Sequence, residues 1–146
     1  MTVSFTIRQA SWAQDRQALI KIRTEVFINE QMVPPDLEWD GYDSDCWHVM
    51  AVTDLGDPIG TARLLYDGHI GRMAVLSDYR RQGVGSAMLK QLLILARHQG
   101  ITELILNAQT NAIEFYQRHG FSICSDEFLD AGIPHRAMRK TLSYET

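Results

Sequence analysis

The sequence is short of several things, and each shortage narrows what the chain can be. Only two of its 146 residues are cysteine, Cys46 and Cys124, and they stand far apart with no CxxC or metal-ligand spacing. That argues against a disulfide scaffold and fits two free thiols in a reducing compartment. No stretch approaches the roughly 20 apolar residues that a membrane helix requires. The start, Met1-Thr2-Val3-Ser4-Phe5-Thr6-Ile7-Arg8, lacks the basic residues and apolar run of a secretory signal, so the expected location is cytoplasmic. Positive charge is not in excess either. The formal net charge is −4, which argues against nucleic acid as a partner. The five histidines form no His/Asp/Glu cluster at ligand spacing, so no metal site is expected. Repeats, low-complexity tracts and linkers are missing too, and a single domain over residues 1–146 is expected.

What is present is an ordinary hydrophobic fraction, 45%, arranged in recognisable periods. Ser11-Trp12-Ala13-Gln14 has the form of a capping box, and Leu19, Ile22 and Val26 with Ile20 and Phe27 follow at helical spacing. The prediction is a helix from about residue 12 to about residue 29. Residues 30–46, with Pro34-Pro35 and many carboxylates, keep no period and read as a loop with room for a short helical turn. Trp47 to Thr53, Ile59 to Tyr66 and Ile70 to Leu76 read as a meander turning at Leu55-Gly56-Asp57-Pro58 and Asp67-Gly68. Val84, Met88, Leu92, Leu95 and Ala96 form the apolar face of a second long helix that Gly100 ends. Then come a short strand at Leu104-Ile105-Leu106, a helix capped by Asn111 with Glu114 at its third position, and strands near 121–128 and 136–142. This order predicts an α/β or α+β domain with one mixed sheet and helices on its faces.

The chemistry starts between the third strand of that meander and the second helix. Met73-Ala74-Val75-Leu76, a polar loop, Gly83-Val84-Gly85-Ser86 and then a helix is an arrangement that binds anions. Free N–H groups and the positive end of the macrodipole meet there, and glycines let a phosphate approach the backbone. Arg80 and Arg81 add full charges at the same place. A Walker loop is excluded because Ser86 and Ala87 follow Gly85, leaving no phosphate-clamping lysine. A dinucleotide fingerprint is excluded because Met88 occupies the place of its third small residue.

The pattern Arg80-x-x-Gly83-x-Gly85 resembles the pyrophosphate loop of the GNAT acetyltransferase superfamily. Asn111-x4-Tyr116-x3-Gly120-Phe121 resembles the same superfamily's later helix and the strand after it. Val26-Phe27-x2-Glu30-Gln31-x-Val33-Pro34, Gly60-Thr61-Ala62-Arg63, Gly71-Arg72-Met73-Ala74-Val75 and Gly132-Ile133-Pro134-His135 are similar to its ElaA-like subgroup. The resemblance implies a mostly antiparallel sheet, splayed between its fourth and fifth strands, with helices on both faces. It also implies acetyl-CoA as cosubstrate, its pantetheine arm in the gap between Ile70–Leu76 and Glu103–Asn107. By the same resemblance Met73, Ala74 and Val75 pair with the pantetheine amides. Arg80, Arg81, Gln82, Gly83, Val84, Gly85 and Ser86 then surround the pyrophosphate, and Asn107 and Asn111 lie beside the cofactor.

Transfer to an amine needs that amine unprotonated, and an alkylammonium with a pKa of about 10.4 must first lose a proton to a base or a water chain. Negative charge then gathers on the carbonyl oxygen, where a backbone N–H such as that of Val75 can stabilise it. The resemblance makes Tyr116 the acid that protonates the leaving thiolate, although an aromatic beside Phe115 at helical spacing also reads as core. Glu30, Gln31, Glu38, Asp40, His48 and His135 fall where an acceptor pocket lies in this superfamily, and acidic residues there would suit a cationic amine. Each also has a plainer reading, as a solvated loop charge or a hydrogen-bonded histidine. The implied reaction is direct attack by a primary amine in a ternary complex. A non-catalytic acyl-CoA-binding module and a transferase with another acyl-CoA or acceptor are the alternatives. A homodimer is implied by the resemblance alone.

Overall fold

A computed structural model describes residues 3–142, so Met1 and Thr2 of the amino-terminal segment read above lie outside the described residues, as do 143–146. The strands are β1 (Phe5–Ala10), β2 (Cys46–Thr53), β3 (Pro58–Leu65), β4 (His69–Val75), β5 (Glu103–Gln109), β6 (Ser122–Ile123), β7 (Phe128–Asp130) and β8 (Ile133–Thr141). The helices are α1 (Trp12–Arg23), α2 (Pro35–Glu38), α3 (Val84–His98) and α4 (Ile113–Arg118). One mixed sheet runs in the order β1-β2-β3-β4-β5-β8-β6, with β7 paired to β8, and among the described residues only the β4–β5 pair is parallel.

Alternation along β2 shows how the layers form. Val49 and Ala51 pack into the main core with Met88, Leu89, Leu92 and Ala96 of α3, whereas Met50 and Val52 pack with Leu19 and Ala18 of α1. Successive side chains of a strand point to opposite faces, so α3 and α1 cover opposite sides of the sheet. Gly60 lets α3 come close, because a Cβ there would stand 3.0 Å from the Met88 side chain. The expected α/β class and the helices on both faces are both present.

The sheet opens where its one parallel pair begins. β4 and β5 share only the register His69↔Ile105 and Ile70↔Leu106, and beyond Ile70 the rest of β4 has no partner on that side. β3 and β4 meanwhile slip register between Thr61 and Arg63, with Arg72 and Met73 opposite the single residue Ala62. Arg72 takes the left-handed φ of 50° at this bulge. Bulges of this kind re-aim side chains and recur beside functional sites.

Several elements differ from the periodic reading. β1 was not anticipated, although Phe5 and Ile7 alternate with polar residues; it is a six-residue edge strand whose outer face is polar. The first helix does reach the predicted length, but its last seven residues, Thr24–Glu30, are wound as a π-helix. Hydropathy does not distinguish these windings, and π-turns are frequent at functional sites. The capping box is not formed: Ser11 makes no side-chain cap bond, and its N–H donates instead to the Asp15 carboxylate at 2.9 Å. Asn111 is likewise not the cap, because Thr110–Ala112 form a 3₁₀ turn and α4 starts after Ala112 without a side-chain cap. The strand predicted near 121–128 is divided into β6 and β7.

Candidate active site

The opening between β4 and β5 leads into a cavity of about 600 Å³ lined by the exposed edge of β4, the end of β5, the first turn of α3, α4, the π-helical turn, α2 and the β7–β8 hairpin. On β4 the backbone itself is presented. Leu76 N–H donates to Ile59 C=O at 2.9 Å, which makes Gly60/Val75 the next, non-hydrogen-bonded pair of the ladder. Polar backbone groups of such a pair point away from the partner strand, so those of Val75 face the gap. Arg80 Nε donates to the Val75 carbonyl at 2.9 Å, leaving the Val75 N–H for an incoming group.

At the mouth, α3 begins at Gly83 with φ 85° and no side-chain cap. No backbone N–H from Gly83 to Ser86 has a protein acceptor among the described residues, so an uncompensated positive helix end faces solvent. Gly85 lines the cavity. Val84 is buried at 1% exposure and offers only its backbone, while Ser86 Oγ lies 3.1 Å from His119 Nε2. Gln82 is engaged elsewhere, its Oε1 accepting from the Val3 N–H at 2.6 Å, and Arg81 is exposed at φ 62°. Asn107 lines the cavity; Asn111 stands exposed on the 3₁₀ turn outside it.

Tyr116 lies on the inner side of α4. Burial pushes its phenol up to about 12, so the hydroxyl keeps its proton at any working pH. That hydroxyl donates to Met73 Sδ at 3.6 Å, and the ring packs edge-on against Phe115 and Phe121. A thioether is a weak acceptor, easily exchanged for a better one.

The acceptor-side residues separate into groups. Gln31, Glu38 and His135 line the cavity. Glu30 does not; it clamps the Arg80 guanidinium with two hydrogen bonds of 2.6 and 2.7 Å. His48 is buried at 1% exposure away from the cavity, stacked on Trp12, with its Nε2 donating to the Asp43 carbonyl at 2.9 Å. Asp40 sits behind the wall, bound to Arg63 and Arg72.

The expectation of an acidic pocket is corrected by an ion cluster that balances those carboxylates. Arg23 Nε donates to Glu38 at 2.8 Å and its Nη1 to Asp43 at 2.6 Å; Arg63 binds Asp40 and Asp43; Arg72 binds Glu38 at 3.2 Å and Asp40 at 3.1 Å. Arg23, Glu38, Asp43 and Arg63 are all buried, and Arg23 stacks over Trp39 at 4.9 Å. Burial pushes the Asp40 carboxyl up, but the hydrogen bonds and charge of Arg63 outweigh it and hold Asp40 down at about 2. At Glu38 burial wins over Arg72 and Arg23, and its carboxyl is raised. The plain reading as a solvated loop charge therefore fails for Glu38. Folding also gathers Asp43, Cys46 and His48, with ligand atoms within 4.8 Å of one another. Its carboxylate is already held by two arginines, and burial pushes the Cys46 thiol up to about 11.

The chain matches the model of the acetyltransferase (GNAT) domain over residues 11–142. It belongs to the GNAT acetyltransferase family. It is 42% identical over 123 residues to the uncharacterized N-acetyltransferase YjcF of Bacillus subtilis, covering 82% of this chain and 87% of the relative. Its fold is similar to that of an acyl-CoA N-acyltransferase from Pseudomonas aeruginosa, with a TM-score of 0.83 and 33% identity over 94% of this chain and 99% of that one. It is also similar to Escherichia coli ElaA, with a TM-score of 0.82 and 26% identity over 93% and 99% of the two chains. The chain is thus an N-acetyltransferase of a family that draws its acyl group from acyl-CoA and acts on amines. Among the described residues no helix is long and apolar enough to cross a membrane.

The sequence reading gave no role to Arg23, Arg63, Arg72 or Gln109. Arg23 and Arg63 carried a signal, a charge amid the apolar positions of a helix face and of a strand. Gln109, whose Nε2 donates to Gln31 Oε1 at 2.8 Å, carried none.

Proposed function

We propose that the chain, acting as one catalytic domain, transfers acetyl from acetyl-CoA to a primary amine by direct attack in a ternary complex. The observation that carries this is the parting of β4 from β5 after Ile70, which leaves the Val75 N–H facing a cavity that ends at an uncapped helix start. In this reading Met73, Ala74 and Val75 bind the pantetheine arm, and the N–H groups of Gly83 to Ser86 with the exposed Arg81 hold the pyrophosphate, while Arg80 and Gln82 brace the loop through Val75, Glu30 and Val3. Asn107 and Asn111 flank the cofactor. Gln31, Glu38 and His135 face the acceptor.

The Val75 N–H then meets the oxygen of the thioester as it becomes an oxyanion. Tyr116, kept protonated by burial and bonded among the described residues only to a thioether, gives its proton to the departing sulfur. Two measurements test the reading. Acetyl-CoA at 100 times its dissociation constant should add about 2.7 kcal/mol to thermal stability. Once a screen of amines finds an acceptor, Tyr116→Phe should slow single-turnover transfer by roughly 10²–10⁴-fold with CoA affinity kept. An unchanged melt disproves cofactor binding, and a mutant rate within about threefold of wild type removes Tyr116 as the acid.

A further inference from the structure

We propose that His135 Nε2 is the general base that deprotonates the acceptor ammonium, an inference that rests on the transfer reaction proposed above. His135 Nδ1 lies 2.6 Å from the carbonyl oxygen of Ile133. A carbonyl only accepts, so Nδ1 carries a proton, and in the neutral ring it is Nε2 that keeps the lone pair. The residue is 8% exposed and lines the cavity, yet among the described residues Nε2 has no partner. Nor is it one of the sealed polar atoms, since the Nε of Arg63 alone among the described side chains is both buried and unbonded. Nε2 therefore keeps some accessible surface on a residue that lines the cavity.

The neighbours fix the ring. His135 stands opposite Gln109 in the β5–β8 register and opposite Phe128 in the β7–β8 register, with the Phe128 ring stacked at 6.0 Å and 20°. Directly opposed residues of an antiparallel pair share a face, so His135 is beside the Gln109 amide that bonds Gln31. The rival bases are occupied. Glu38 is held by Arg23 and Arg72 and Glu30 by Arg80, whereas His69, which lines the cavity with its Nδ1 2.9 Å from Asp67, is set apart by standing half-exposed to water on the β3–β4 hairpin. Asp130, at the exposed end of β7, also lines the cavity, but it is open to water.

The ammonium passes its first proton to Nε2, and the freed lone pair attacks the thioester carbon. The C–N bond forms and the C–S bond breaks as sulfur takes the Tyr116 proton. The second amine proton restores Tyr116 through water, leaving amide, CoA thiol and a charged His135.

The test compares wild type and His135→Gln, whose amide can still donate to Ile133, on two probe acceptors. Propylamine is an ammonium at neutral pH and needs a base; methoxyamine is already neutral and does not. The expected result is a 10²–10⁴-fold loss of kcat/KM for propylamine, with methoxyamine turnover within about threefold of wild type. Equal losses on both probes, or no loss on propylamine, overturn the proposal. A second measurement needs no acceptor: nitrogen NMR of the CoA complex should show His135 protonated at Nδ1 and bare at Nε2, and the opposite tautomer overturns the assignment. If acetyl-CoA leaves the wild-type melt unmoved, the transfer reading itself has failed, which neither His135 measurement reports.

Discussion

The two walls of the cavity are built on opposite plans. The wall of β4, the glycine loop and the start of α3 presents backbone groups, with free N–H donors from Gly83 to Ser86 and the Val75 N–H at the gap. The facing wall, from the π-turn through α2 to Arg63 and Arg72, is made of side chains that have already spent their charges on one another. The first wall can bind because it is unsatisfied. The second holds shape because its charges are paired, and under the proposed function that suits two jobs: a constant cofactor needs fixed donors, whereas an acceptor pocket needs walls that do not collapse when empty. Bulge residue Arg72 belongs to both, since its left-handed backbone lies on β4 while its guanidinium reaches the carbonyls of Leu37 and Glu38.

The largest test of this contrast removes the centre of the satisfied wall. Arg23→Met leaves Glu38 and Asp43 buried with one counter-charge fewer, and stranding a buried charge costs about 3–5 kcal/mol. Urea unfolding should show that loss. A cost under about 1 kcal/mol would mean that the cluster behaves like exposed ion pairs, and the contrast would fall.

A smaller effect follows from pH. The Asp40 carboxyl is held at about 2 in the fold and titrates near 3.9 when unfolded, so the unfolded chain binds the extra proton first. Water screens this partly exposed carboxylate, so the stabilisation is about 1 kcal/mol; it is present above pH ~4 and is lost as pH falls toward 2. Asp40→Asn should therefore flatten the stability curve between those limits. If the mutant and wild-type curves stay parallel there, Asp40 is not bound by Arg63 and Arg72 in solution.

The same contrast explains what could be read from residues alone. Backbone sites leave a local signature, because only certain residues permit them: Gly83 at φ 85°, Gly85 beside the ligand path and Gly68 at the hairpin all stand in short, ordered segments. The fold class, the two long helices, the glycine loop and the Tyr116 segment were legible for that reason. The ion cluster joins Arg23, Glu38, Asp40, Asp43, Arg63 and Arg72 across four elements, and cancelling charges leave no pattern along the chain. His48 and Glu30 were assigned to the acceptor side by their neighbours in sequence, while their partners, Trp12 with the Asp43 carbonyl and Arg80, are set by tertiary packing. The π-winding of Thr24–Glu30 and the Gln31–Gln109 bond likewise depend on contacts that hydropathy does not encode.

The finest test concerns the unsatisfied wall, where adding atoms should harm binding and spare folding. A Cβ on Gly85 would meet the Phe115 ring at 3.5 and 3.7 Å, ordinary contact distances, so the folded protein has room for one. Under the proposed function, Gly85→Val nevertheless places carbon where the pyrophosphate would approach the helix start. CoA affinity should fall at least tenfold, or by about 1.4 kcal/mol, while the melting temperature of the free protein stays near wild type. Gly83 provides the control. Nothing lies within 4 Å of a Cβ there, but its φ of 85° strains any other residue, so Gly83→Ala should cost about 1 kcal/mol of stability for backbone reasons. Two glycines two residues apart should then fail in different ways, one in binding and one in folding. Calorimetry giving Gly85→Val wild-type CoA affinity would show that the ligand does not pass this turn, and the wall of free N–H groups would lose its assigned role.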